Sequence, residues 1–157
     1  MIALVRVDDR LVHGQVMEGW VPYFKADSII VASDEVARSS FQRQAIESCS
    51  HGNLVVKVAE AKDAIHDICD GRYDTCRVIV LVSGLRDAMR LYEGGLPFTS
   101  INIGNLHHLG DARMITKSVY VDKEDEEIID RFMGLGIAIE IRAVPYEKVV
   151  SYKGGKR

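Results

Sequence analysis

The chain predicts an α/β fold in three layers, α/β/α, with a mostly parallel central sheet and helices on both faces. Three observations predict it. Short apolar runs alternate with segments of helical period from end to end, the pattern of parallel strands joined by helical crossovers. Two runs, Ser28-Ile29-Ile30-Val31-Ala32 and Arg77-Val78-Ile79-Val80-Leu81-Val82, are apolar almost throughout, as strands covered on both faces are. The length of 157 residues, with 47% hydrophobic and 27% charged side chains, suits one globular domain over 1–157 with a sizeable core.

The elements follow in order. Residues 2–6 form the first strand. Val12, Val16, Trp20 and Phe24 then recur at helical spacing, so a first helix buries that face, and Pro22 should end or kink it near Val21. Residues 28–32 are a central strand. A second helix over about 40–50 carries Phe41, Ala45, Ile46 and Cys49 on one face. Residues 53–58 form the third strand after the turn signal Gly52-Asn53. The third helix, 60–70, buries Ala61, Ala64, Ile65, Ile68 and Cys69, with Gly71 past its end. Residues 77–82 are the most hydrophobic strand and belong at the sheet centre. Ser83 caps the next helix, which stops at Gly94-Gly95. Strand 100–103 leads into a polar loop, 104–116, and a short strand, 118–121. Asp122 caps a helix with an acidic first turn, Glu124, Asp125 and Glu126, as the helix dipole favours. A last strand, 137–141, follows Gly134 to Gly136, and the tail after Pro145 is extended, with a frayed end from about 150 and over 153–157.

Several function classes fall away. A formal net charge of −3 leaves no basic footprint for nucleic acid. No apolar run approaches the ~20 residues of a membrane span, and Asp8 and Asp9 interrupt the apolar start too early for a signal peptide. Cys49, Cys69 and Cys76 are odd in number and lack CxxC spacing, which fits buried reduced thiols in a cytosolic protein. No HExxH, paired CxxC, Walker or GxGxxG pattern occurs, so no metal and no cofactor is expected.

The chemistry concentrates after the first strand, at Asp8-Asp9-Arg10-Leu11-Val12-His13-Gly14-Gln15. In open α/β sheets, ligands and chemistry sit at the carboxyl ends of strands. That edge groups the loops 7–13, 33–39 and 83–86, with 104–113 as a fourth. A neutral imidazole, with an ordinary pKa of about 6.5, is a good nucleophile near neutral pH. His13 could attack a phosphoryl donor and form a covalent intermediate. Arg10 supplies a forked cation, Gly14 permits close backbone approach, Gln15 adds a side-chain donor, and the helix start presents N–H groups to an anion. Asp8 and Asp9 could orient Arg10 or bond an imidazole N–H. The residues alone leave a second reading open, in which His13 is structural and Arg10 is a surface ion-pair partner. His107 and His108 point to opposite sides of an extended segment, a poor joint metal pair. They line the pocket or are ordinary loop residues. His51 and His66 read as solvated.

The segment from Arg6 to Val16 resembles the active-site segment of the IIB component of the mannose/fructose/sorbose family of the bacterial phosphoenolpyruvate-dependent sugar phosphotransferase system (PTS). The resemblance extends through Ala26-Asp27, Asp34-Glu35-Val36-Ala37 and Phe41, then Asn102-Ile103-Gly104-Asn105-Leu106, Ile115-Thr116-Lys117-Ser118-Val119 and Val144-Pro145. It implies that Nδ1 of His13 accepts a phosphoryl group from a phosphohistidine on a IIA partner. It implies transfer onward to a sugar delivered by membrane IIC and IID subunits, with Arg10 as the cationic neighbour. Gly14 and Gln15 would bind phosphate, and Asp8, Asp9 and Ser83 would support the site. A homodimer at the cytoplasmic face of the membrane is implied as well. The alternatives are a regulatory component, whose His13 phosphorylation controls a protein partner without sugar transport, and a nucleotide-binding domain.

Overall fold

The structure, a computed structural model, describes residues 1–154. Its main sheet has six strands in the order β3-β2-β4-β1-β5-β8. These are β1 (Ile2–Asp8), β2 (Ser28–Ala32), β3 (Val55–Ala59), β4 (Val78–Val82), β5 (Ser100–Asn105) and β8 (Ala138–Ile141). Every pairing within it is parallel. As its composition predicts, β4 lies inside the sheet between β2 and β1, and all five of its residues are buried.

Successive strand residues point to opposite faces, which sorts the apolar runs into two cores. Val5, Val7, Ile30, Ala32, Val78, Val80 and Val82 face α4 (Ala61–Cys69), α5 (Leu85–Glu93) and α6 (Lys123–Gly134). Leu4, Ile29, Val31, Ile79 and Leu81 face Val16 and Trp20, with Val36 and Ile46 packed on that side. Those four residues come from a π-helix (Gln15–Trp20), α2 (Asp34–Arg38) and α3 (Ser40–Glu47). The chain leaves β1 toward the second face and β4, its neighbour, toward the first. The carboxyl ends of β1 and β4 therefore form a switch point, the place where α/β sheets open a crevice.

Some expectations need correction. The first helix is a six-residue π-helix continued by the short α1 (Val21–Phe24). Pro22 does not end it at Val21. It falls in the first turn of the new α segment, where its missing N–H costs little, and the run ends at Lys25 in the left-handed conformation. The second helix is α3, which ends at Glu47; a further short helix, α2, occupies most of the expected loop 33–39, and Phe41 is 83% exposed. Residues 104–116 are not all loop: β5 runs to Asn105, and β6 (Arg113–Thr116) pairs antiparallel with β7 (Val119–Val121) outside the main sheet. Cys69 is exposed and Cys49 and Cys76 are half-buried, so the thiols are free but not deep in the core. Ser83 does not cap α5. Gly84 holds the cap position, and the Ser83 hydroxyl donates to Asp87 Oδ2 at 3.2 Å. The tail is extended but docked up to Gly154. Val150 bridges to Ile141, Tyr152 is buried, and the Gly154 carbonyl accepts from Arg113. The rest of the expected frayed end, 155–157, lies outside the described residues. Asp122 caps α6 as expected, in a reciprocal box with Asp125.

Candidate active site

The site begins inside β1. Alternation puts Leu4, Arg6 and Asp8 on the face that carries Trp20, and Arg6 and Asp8 are both fully buried. A buried carboxylate requires donors on its lone pairs, and Asp8 has four. Its Oδ2 accepts from Arg6 Nε at 3.2 Å and Arg6 Nη2 at 2.8 Å. The same oxygen lies 2.7 Å from His13 Nε2, and Oδ1 accepts the backbone N–H of Arg10 at 3.0 Å. Burial works to raise the Asp8 pKa, but the His13 hydrogen bond and the Arg6 charge outweigh it and hold the carboxyl below its ordinary range. Burial pushes the Arg6 guanidinium below its ordinary value, against the pull of Asp8.

An ionised carboxylate only accepts, so Nε2 of His13 carries the proton. Nδ1 then holds the lone pair, and the Gln15 backbone N–H points at it from 3.3 Å. The hydrogen-bond network thus assigns one tautomer, with the unprotonated nitrogen on the side of the helix start.

A turn delivers His13 to this position. The Leu11 N–H donates to the Asp8 carbonyl at 2.9 Å. Leu11 itself is left-handed, with φ 58°, a conformation costing a branched residue about 1–2 kcal/mol. Its side chain is buried in the Trp20 core, which offsets the strain.

Of the residues the sequence singled out, Arg10 lies beside the histidine. Its Nη2 donates to the Gln15 side-chain oxygen at 2.7 Å, and its Nε is 3.6 Å from Asp8 Oδ1. The donor that Gln15 gives the site is therefore its backbone N–H, while its amide oxygen holds Arg10. Gly14 has ordinary right-handed backbone angles, and a Cβ there would meet nothing within 4 Å. The space above it is open. Asp9 does not touch His13. It accepts from Asn105 Nδ2 at 2.6 Å and from the His107 N–H at 2.8 Å, and lies 3.1 Å from His107 Nδ1. Asp9 thereby ties the 104–113 loop to the first loop. Ser83 bonds within its own helix start and lines a cleft of about 380 Å³ with Asp9, Leu11, Ser33, Val36 and Phe41. This cleft gathers the first three expected loops, and His13 lies outside its lining.

Arg6 was missed as a site residue, although an arginine within an apolar strand and two residues before Asp8 is a legible signal. Its Nη1 donates to Asn102 Oδ1 at 2.6 Å, and its guanidinium lies 5.3 Å from the Trp20 ring centre. His108, Asp122 and Asp125 are the metal-ligating set among the described residues, with ligand atoms within 4.8 Å of one another. Asp122 and Asp125 already serve the α6 capping box, and His108 pairs with Asp125, so the helix start accounts for the set. Burial raises the Asp125 pKa. His51 and His66 are exposed, as expected, and His66 pairs with Asp70 at 3.2 Å.

Comparisons with known proteins show the family. Residues 2–153 match the family model described as PTS system sorbose subfamily IIB component. The chain is 32% identical over 147 residues to the PTS system fructose-specific EIIB component of Bacillus subtilis (strain 168), covering 92% of this chain and 88% of that one. It is 31% identical over 152 residues to the N-acetylgalactosamine-specific phosphotransferase enzyme IIB component 2 of Escherichia coli (strain K12), covering 95% and 94%. The crystal structure of the IIBSor domain of the sorbose permease from Klebsiella pneumoniae superposes with a TM-score of 0.90 at 26% identity, over 96% of this chain and 93% of that one.

Proposed function

The chain belongs to the sorbose subfamily of PTS IIB components, and from that membership we propose that it relays a phosphoryl group through His13. The observation that carries the residue assignment is the Asp8-bound Nε2 of His13, which leaves Nδ1 as a lone pair facing the Gln15 N–H.

In the first step the Nδ1 lone pair attacks the phosphorus of a phosphohistidine on a IIA protein. The new P–N bond forms on Nδ1 as the donor's P–N bond breaks, and that electron pair returns to the donor's imidazole. No proton moves on His13. The ring gains positive charge, which the Nε2–H shares with the Asp8 carboxylate, so this hydrogen bond strengthens as the reaction proceeds. Arg10 and the Gln15 N–H balance charge on the phosphoryl oxygens. The second step reverses this geometry toward a sugar hydroxyl at the IIC and IID subunits. The P–N electron pair returns to Nδ1, and the hydroxyl proton goes to a base on the receiving side. The relatives named for fructose and N-acetylgalactosamine are similarly distant, which supports a hexose-class substrate without selecting one. The same membership supports a single IIB domain, a homodimer and work at the cytoplasmic face. Among the described residues, no helix is long and apolar enough to cross a membrane.

The test is phosphorylation of wild type, His13→Ala and Arg10→Lys by a phosphorylated IIA protein and by phosphoramidate, a small N-phosphoryl donor. Acid-labile, base-stable label on wild type and none on His13→Ala is the expected result. Label persisting on His13→Ala removes His13 from the role. Arg10→Lys keeps the charge but loses the fork, and slows transfer by about tenfold. An unchanged rate takes Arg10 out of the site. Label that membranes bearing IIC and IID never pass to a sugar would favour the regulatory alternative.

A further inference from the structure

We infer that Arg6 is a positioning residue for phosphoryl transfer: its enclosed guanidinium fixes the Asp8 carboxylate, and Asp8 in turn fixes the His13 ring. The inference rests on the reading of His13 as phosphoryl acceptor and adds the residue behind its orientation.

The seat of Arg6 is closed on several sides. Nε and Nη2 both donate to Asp8 Oδ2, the oxygen that holds His13. Nη1 donates to Asn102 Oδ1 at 2.6 Å and to the Arg142 carbonyl at 3.4 Å. Asn102 is the register partner of Arg6 across β1 and β5 and is itself buried. The Trp20 ring contacts the guanidinium, and Trp20 is pinned in turn by its indole N–H to the Ala143 carbonyl at 3.0 Å. At Gly104 a Cβ would fall 2.0 Å from Arg6 Cζ and 2.1 Å from both terminal nitrogens. Only glycine there lets the guanidinium lie against β5.

Stability alone is a weak reason for this arrangement. A buried ion pair contributes little or nothing over apolar side chains of similar volume. Apart from Asp8, every other residue of β1 is apolar, so an apolar side chain at position 6 would have suited the core. Held between β5 and Trp20, Arg6 instead gives Asp8 one orientation, and a fixed orientation is what an in-line attack by Nδ1 requires. Arg6 touches no reacting atom. It acts through Asp8.

The experiment uses Gly104→Ala and Asn102→Ala, which disturb the seat from two sides and leave every charge in place. In the unphosphorylated protein, the proton resonance of His13 Nε2–H reports the bond to Asp8. It should be visible and slow to exchange in wild type, and lost to exchange with water in both variants. Transfer from phosphorylated IIA should show kcat lower by about tenfold or more, with KM within about twofold, because the lost orientation acts on the chemical step. A variant that shifts the Arg6 Nε–H resonance yet keeps the His13 resonance and the wild-type kcat overturns the inference. Should Gly104→Ala fail to fold, Asn102→Ala decides alone. Should wild type take no phosphate on His13, the phosphoryl reading falls, while the resonance still decides whether Arg6 positions the ring.

Discussion

Asp8 connects a buried cation to a reactive imidazole. Asp8→Asn leaves the Arg6 guanidinium buried without its counter-charge, and breaking such a pair costs about 3–5 kcal/mol. Urea unfolding at neutral pH should show that loss. The pH dependence has a definite sign. The Asp8 pKa is lower in the folded state than in the unfolded chain, so its contribution is complete above the ordinary carboxylate value of about 3.9. It is lost as pH falls through the depressed folded value. The stability gap between wild type and Asp8→Asn should therefore narrow on acidification below about pH 4. A gap independent of pH would show that Asp8 acts only through its shape. His13, Arg10 and Asp8 were legible because they stand together after an apolar strand. The pairing of Asp8 with Arg6 was missed, although the two-residue period of that strand puts both on one face. The contact of Asp9 with Asn105 and His107 was not legible, because it spans nearly a hundred residues of chain.

At the scale of elements, the spacing of Val16 and Trp20 identified the buried face of the first helix but not its winding. A π-helix and an α-helix place such residues on nearly the same side over one or two turns, so the pattern cannot separate them. Pro22 could only be placed once the change of winding at Val21 was known. Pro22→Ala should lower stability by less than about 1 kcal/mol, chiefly by freeing the unfolded chain, and leave phosphorylation unchanged. Trp20→Phe should cost more, about 1–3 kcal/mol, because the buried Ala143 carbonyl loses its donor. Equal losses on urea unfolding would contradict the contrast. Helix α3 teaches a related lesson. Periodicity states which residues share a face, not whether anything covers it. Phe41 is on the expected side but faces solvent, so Phe41→Ser should change the unfolding free energy by no more than about 0.5 kcal/mol.

At the scale of the whole molecule, the segment that follows β8 lies behind the active loop, against Arg6 and Trp20. The segment after β8 carries no period that a sequence can reveal, and its Gly and Lys content resembles a loose end. Its order comes from tertiary contacts: Arg142 Nη1 to the Pro145 carbonyl at 2.7 Å, the Ala143 carbonyl to Trp20, and the Arg142 carbonyl to Arg6. Farther on, Val150 bridges to Ile141 and Tyr152 enters the core beneath α6. Tyr146 and Tyr152 therefore make an internal comparison, the same side chain six positions apart, one 81% and the other 7% exposed. Truncating a buried aromatic costs about 3–5 kcal/mol and an exposed one within about 0.5 kcal/mol. Tyr152→Ala should lower the unfolding free energy accordingly, while Tyr146→Ala should be silent. If the segment secures the back of the site, Tyr152→Ala should also speed hydrogen exchange of the Trp20 indole N–H, whose acceptor belongs to that segment. Unchanged exchange at Trp20 beside a large loss of global stability would mean that residues 142–145 hold their place without help from the tail.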